Sequence, residues 1–346
     1  MSLSEPLEIL PPISGRLYRA LDTIQTIITQ WWPEFRRIEV SAAPIDEVPG
    51  ARSRTSASFF SGGVDSFYTC LKHTGASGSI QSPPLTHLVC MEGVEHPLEE
   101  CTQAHALRDE VRRIAEHYEL EVVFGRTNIR SAVPVPWGMY YHGAGLASIG
   151  HSLAAGFSRT LIPSTHSFRH LFPWGSHPLL DPLWSTEQTE VVHDGSEAMR
   201  VEKTALVASD AFALEHLRVC TRNGAGPGNC GRCTKCLRTM VTLQALGELS
   251  RAKSFPAGGL PVDFSRRLPL AQENDRAFVE EIVSYLEERE PNNRLARELS
   301  WRLRQTRRRA AARSYVHNSA LEGALPAVRV VRGAALRFAS ILSHIT

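Results

Sequence analysis

The chain has 346 residues and carries 38 Lys and Arg against 36 Asp and Glu, a formal charge of +2. That near-balance excludes a general polyanion binder, which needs a basic excess to offset phosphate charge. Hydrophobic residues make up 42% and charged residues 21%, ordinary for a globular chain with a sizeable core. No apolar run reaches the roughly 20 residues that cross a bilayer.

The N-terminus lacks the basic segment and apolar core of an export signal, so a cytoplasmic location without membrane contact is expected. Residues 1–13, rich in Pro and Glu, read as a poorly ordered lead-in. From Leu17 the apolar positions Leu21, Ile24 and Ile28 recur at helical spacing, and Trp31-Trp32-Pro33 closes the helix. The two tryptophans are expected to pack on the core. Arg37–Ala42 alternates as a strand and residues 44–55 form a Pro/Gly/Arg/Ser linker, so 1–55 make an N-terminal extension.

Residues 56–165 alternate strand and helix, which predicts an α/β domain with a parallel sheet covered by helices on both faces. Strand Ala57–Phe60 leads into a Gly-rich loop and a helix through Lys72. Strand Thr86–Met91, helix Gln103–Tyr118, strand Glu121–Phe124, helix Gly143–Gly156 and strand Arg159–Pro163 follow. Ligands of such sheets bind beyond the carboxyl ends of the strands. One rim should therefore carry Ser61–Ser66, Met91–Val94, Thr127-Asn128 and Ser164-Thr165-His166. Cys70, Cys90 and Cys101 have no partner spacing and read as small core hydrophobes.

Between Pro134 and Trp184 the chain turns polar and aromatic: Trp137, Tyr140, Tyr141 and His142, then His166, Arg169, His170, Trp174, Ser176, His177 and Asp181. Loops of this make-up are usually held over a ligand by a rigid scaffold. His166, Arg169, His177 and Asp181 are the candidate substrate contacts. The histidines lack a helical metal-binding spacing, and no general base is legible.

Farther on, Cys220-x9-Cys230-Gly-Arg-Cys233-x2-Cys236 brings four thiols into one short span, with a Gly-rich loop between the first two. Zinc takes four tetrahedral sulfurs, and each CxxC turn presents two of them to one ion, so Cys220, Cys230, Cys233 and Cys236 are the candidate ligands. The C-terminal extension, 251–346, begins with an amphipathic helix, Ala271–Glu290, with Phe278, Ile282, Tyr285 and Leu286 on one face. Pro291-Asn292-Asn293 then caps a helix with eight arginines between Arg294 and Arg313. Leu295, Leu299, Trp301 and Leu303 give it an apolar face, which favours a solvated or partner-packing helix over a nucleic-acid grip through Arg294–Arg313. A last short helix over 318–346 would pack on the body or on a second copy, which allows a homodimer.

The loop Ser61-Gly62-Gly63-Val64-Asp65-Ser66 ends an apolar strand and opens a helix. Its glycines let backbone N–H groups approach an anion, and the helix N-terminus favours negative charge. No Gly-Lys-Ser/Thr follows, so it is not of Walker type. As a surface-loop residue, Asp65 is expected to add little to stability.

This run, SGGVDS, resembles the pyrophosphate-binding loop of the PP-loop ATP pyrophosphatase superfamily. The four-cysteine spacing toward the C-terminal end of the same domain, with Gly231 after the second cysteine and Arg238 two beyond the last, resembles the 7-cyano-7-deazaguanine synthase family in particular. The resemblance covers roughly 56–245. It implies a HUP-like, doubly wound sheet over 56–250 and cleavage of ATP to AMP and pyrophosphate, with Mg2+ offsetting phosphate charge and Zn2+ in the knot 220–236. It also implies adenylylation of a carboxylate or carbonyl oxygen of a small carboxylic acid, followed by attack of ammonia or another amine.

By the same resemblance Ser61, Gly62, Gly63, Val64, Asp65 and Ser66 would hold the pyrophosphate, with Cys90 and Met91 near adenine and Ser164 and Thr165 on the nucleotide rim. Lys203 stands where the family has a lysine opening a helix; it would neutralise phosphate charge, or simply be a solvated helix-end lysine. Ser61, Asp65, Ser66 and Lys203 are thus the candidate catalytic residues. The family's Tyr-Pro-Asp-Cys-Arg substrate run is missing, and Gly175-Ser176-His177-Pro178 precedes Asp181 instead. Sulfur transfer, tRNA modification and ligation to a protein amine stay open as alternatives. A non-catalytic nucleotide-binding module is disfavoured by the intact loop and the crowded rim.

Overall fold

The computed structural model describes residues 1, 3–46, 55–75, 84–95, 98, 104–220, 228–270 and 272–309. The centre of the expected linker, Cys101, most of the Gly-rich loop before Asn229, and the helix expected over 318–346 lie outside these residues. The chain divides into two compact units, Met1–Leu268 and Pro269–Thr346.

The first unit begins with a strand rather than a disordered lead-in. β1 (Leu7–Ser14) pairs in parallel with β2 (Val40–Ile45), and α1 (Gly15–Trp31) crosses between them. The register slips between Ile9 and Ile13, where Pro11 and Pro12 can donate no ladder hydrogen bond. Prolines thus interrupt the pairing without preventing it. Ser14 caps α1 by accepting from Leu17 N at 3.0 Å, and Trp32 packs edge-on to Tyr140 at 5.1 Å. The expected strand Arg37–Ala42 forms three residues later.

The main sheet, among the described residues, has five parallel strands in the order β5-β4-β3-β6-β7. These are β3 (Ser56–Phe59), β4 (His87–Glu92), β5 (Glu121–Arg126), β6 (Arg159–Pro163) and β7 (Glu190–Asp194). The helices α2 (Val64–His73), α3 (Ala104–His117), α4 (Ile129–Ala132), α5 (His142–Ser152), α6 (Arg200–Ser209), α7 (Ala211–His216), α8 (Thr234–Ala245) and α9 (Phe264–Arg267) complete the unit. The alternating pattern therefore yields the expected α/β architecture with one further strand, β7. One core joins α2, α3, α6, α7 and α8 through Phe67, Leu71, Ile114, Val207, Leu214 and Met240; a second joins Phe59, Leu146, Ile149 and Ile162. Cys70 and Cys90 are buried in the first, as small hydrophobes.

Strand order reverses direction at β3: β4 and β5 run outward on one side, β6 and β7 on the other. The crevice between the carboxyl ends of β3 and β6 is the switch point at which open α/β sheets bind ligands.

In the second unit α10 (Glu273–Arg289) buries Phe278, Ile282 and Leu286, and residues 294–309 form a helix. Asn293 caps it, accepting from Ala296 N at 3.1 Å. Its buried positions are Ala296, Leu299 and Leu303, at helical spacing, whereas Trp301 is 53% exposed and belongs to the opposite face. No described helix is long and apolar enough to cross a membrane.

Candidate functional site

The loop Ser61–Ser66 leaves the carboxyl end of β3 and enters α2 at the switch point. Gly62 takes a φ of +75°, a conformation that a side chain would strain, and its carbonyl accepts from Arg218 N at 2.8 Å. Gly63 is the N-cap of α2, which no side chain caps. Ser66 Oγ braces the turn, donating to Gly63 O at 3.0 Å and accepting from Ser61 N at 3.4 Å. Val64 anchors the loop in the core.

Asp65 is not a loosely held surface residue. Both its oxygens accept from Arg200 Nη1, at 2.6 and 2.7 Å, and Lys203 Nζ stands 3.9 Å away. Burial would raise the Asp65 carboxyl, but Arg200 and Lys203 outweigh it and hold the group below the usual carboxylate range. Lys203 is buried at 1% exposure, which removes the solvated helix-end alternative. It donates to Ser164 O at 2.7 Å and to Ser164 Oγ at 2.9 Å, so the ends of β6 and α6 meet there. Burial lowers its pKa, with Asp65 opposing the fall. Arg238, on α8, also adds to the positive field at Asp65. At the end of β4, Cys90 is buried and Met91 half-buried.

Beside this cluster lies a pocket whose wall includes Thr165, His166, Trp174, Ser176, His177 and His193. Burial drives the imidazoles of His166 and His177 down to about 4, and lowers that of His142, which also lines the pocket. His177 packs against Trp31 at 4.7 Å, so α1 supports the pocket wall. Arg169 is exposed on the tight turn Phe168–His170 and is absent from that wall. Asp181 is fully buried: it accepts from Ser176 Oγ at 2.7 Å and His177 N at 3.2 Å, and pairs with His193 Nδ1 at 2.7 Å. The sequence brought attention to Asp181 but passed over its partner His193, one polar side chain inside an ordinary strand.

The depressed His166 and His177 values set a pH dependence of stability. Each ring stays neutral in the fold until about pH 4, while the unfolded chain takes up a proton near the ordinary histidine value of about 6.5. The unfolded state therefore binds more protons inside that window, and stability present above about pH 6.5 is lost as pH falls towards 4. Thermal melts across the window should fall steadily with pH, and His177→Gln should flatten the slope. A melting temperature flat from pH 7 to about 4.5 would contradict the burial of these rings.

The four thiols meet as their spacing predicts: the sulfurs of Cys220, Cys230, Cys233 and Cys236 lie within 4.8 Å of one another. Cys230–Cys236 is 3.8 Å and Cys220–Cys233 is 4.0 Å. Tetrahedral zinc with Zn–S of about 2.3 Å sets its sulfurs roughly 3.8 Å apart, so the donor set fits the ion. Gly231 turns at φ +65°, and the N–H groups of Arg232 and Cys233 point at Cys230 Sγ at 3.4 and 3.3 Å. Burial would raise the Cys230 thiol, but these N–H groups and the neighbouring cysteines bring it down to about 6, which favours the thiolate.

Asn229 ties the two halves of the knot, a role its place in a Gly-rich loop did not announce. Its Oδ1 accepts from Val219 N at 2.8 Å and Cys220 N at 3.1 Å, and its Nδ2 donates to Leu217 O at 2.8 Å. The knot also reaches the switch-point loop: Arg218 precedes its first cysteine by two residues and Arg238 follows its last by two. No protein-family model, no curated protein and no solved structure matches the chain.

Proposed function

We propose that the chain is an ATP-dependent ligase of PP-loop type that forms AMP and pyrophosphate. It adenylylates an oxygen of a small carboxylic acid and passes the activated carbon to ammonia or another amine. The observation that carries this reading is the Ser61–Ser66 turn at the switch point, backed by Asp65, Arg200 and Lys203. Backbone N–H groups at Gly62, Gly63 and the start of α2 would take the pyrophosphate. Lys203 and Arg238 would add the fixed positive potential that offsets charge on the leaving group.

Asp65 is the one carboxylate of the loop, and both its oxygens accept from Arg200. Magnesium would travel on the phosphates of ATP. Zinc would be structural, since all four of its positions are filled by protein sulfurs. That also weighs against sulfur transfer, which needs a free reactive thiol. The neutral, partly aromatic pocket beside the loop would face the reacting carboxyl of the acid.

The test is product analysis. The chain is incubated with ATP, magnesium, ammonium and a panel of small carboxylic acids, including 7-carboxy-7-deazaguanine. Acid-dependent release of AMP and pyrophosphate is expected. Formation of ADP and phosphate instead would remove the PP-loop reading.

A further inference from the structure

Amine attack on an activated acid requires a proton acceptor, and no such residue was legible in the sequence. The structure holds a candidate at the carboxyl end of β7. His193 lies beside Ile162 of β6, with its side chain only 5% exposed, and lines the pocket that His166 and Thr165 also line. His166 in turn feels the charges of Asp65, Arg238, Lys203 and Arg200, so the pocket adjoins the switch-point cluster.

The tautomer of His193 follows from its partner. Asp181 is fully buried and receives Ser176 Oγ and His177 N besides His193 Nδ1. An ionised carboxylate only accepts, so Nδ1 of His193 must carry the hydrogen. In the neutral ring Nε2 is then a lone pair, and among the described residues nothing donates to it. His177 has the opposite form: Leu179 N donates to its Nδ1 at 3.1 Å, which puts the ring hydrogen on Nε2. Gly143 is required here, because a Cβ at that position would collide with Asp181 Oδ1. Ser176 does not complete a hydrolase triad. Its Oγ bonds Asp181 and stands 3.5 Å from Nδ1 of His193, whereas a serine nucleophile must face Nε2.

We infer that His193 is the general base of the amine-transfer step and that Asp181 is its positioning residue. The inference rests on the ligase reading given above. The amine nitrogen forms a bond to the acyl carbon, and the bond from that carbon to the adenylyl oxygen breaks. The electron pair leaves with AMP, and the nitrogen's proton passes to His193 Nε2. Asp181 then offsets the imidazolium charge, as a buried carboxylate does for a catalytic histidine.

Two measurements on the full chain separate this inference from the reading beneath it. The first, long-range 1H–15N correlation on 15N-histidine-labelled protein, needs no substrate. It should show His193 in the Nδ1–H form, and Asp181→Asn should lose that preference; an Nε2–H ring in the unmutated chain overturns the inference. The second compares His193→Gln with the unmutated chain, using ATP, ammonium and the acid identified by the product panel. At saturating acid, so that any loss of acid binding is compensated, ammonia-dependent AMP release should fall about 10²–10⁴-fold and ATP–pyrophosphate exchange at least tenfold less. Equal losses in the two reactions, or none, also overturn the inference. If the unmutated chain forms no AMP with any acid, the ligase reading and the amine-transfer role fall together, whatever the tautomer.

Discussion

Asp65→Ala should abolish AMP formation and also destabilise the fold, by about 3 kcal/mol, the order of the cost of breaking a mostly buried ion pair from one side. Arg200 is 7% exposed and gives Asp65 two hydrogen bonds, so truncating the carboxylate removes the negative charge that offsets its buried guanidinium at the foot of α6. The sequence suggested the contrary, a loop residue of little consequence for stability. The double replacement Asp65→Ala with Arg200→Met separates the two roles. Removing both charges should recover most of the lost stability, because a buried ion pair replaced by apolar groups is often neutral. It should recover none of the activity. Denaturant melts of the single and double variants, beside AMP assays, decide the matter. An Asp65→Ala variant as stable as the unmutated chain would mean that the pair is not formed in solution.

Cys233→Ser should cost the chain its zinc and much of the order around the knot. Cys233 supplies one of four sulfurs, caps α8 by accepting from Cys236 N at 3.5 Å, and is 8% exposed. Structural zinc contributes its binding energy to folding. A loss of only about 3 kcal/mol would lower the melting temperature by roughly 6–12 °C for a unit of this size. Metal content should drop from about one ion per chain to well below one. Because Arg218 and Arg238 flank the knot, ATP binding should weaken in the same variant, though neither arginine is altered. Full zinc retention would overturn the ligand assignment. Zinc loss with unchanged ATP affinity would restrict the knot to a local staple.

Much of this protein is written locally. A glycine turn after an apolar strand, a CxxC pair and a strand–helix alternation depend on residues near in sequence, and the structure has each of them where the pattern puts it. The sulfurs meet because Gly231 turns and the cysteine spacing is short. The α/β sheet forms because its inner strands feed a core on each face, Leu88 and Leu161 on one and Val89 and Ile162 on the other.

The rest depends on separations that local pattern cannot register. β1 was obscured by its prolines, and its pairing with β2 is made across α1. Trp301 looked apolar enough for a core, yet helical phase turns it outward while Ala296 is buried. The Asp65–Arg200 pair joins residues 135 apart, and the Asp181–His193 pair joins a loop to a strand. In each case composition offered a charged or polar side chain with no sign of its partner. Only the parallel order β5-β4-β3-β6-β7 sets the ends of β3, β6 and β7 side by side, and burial there then dictates which charges must pair.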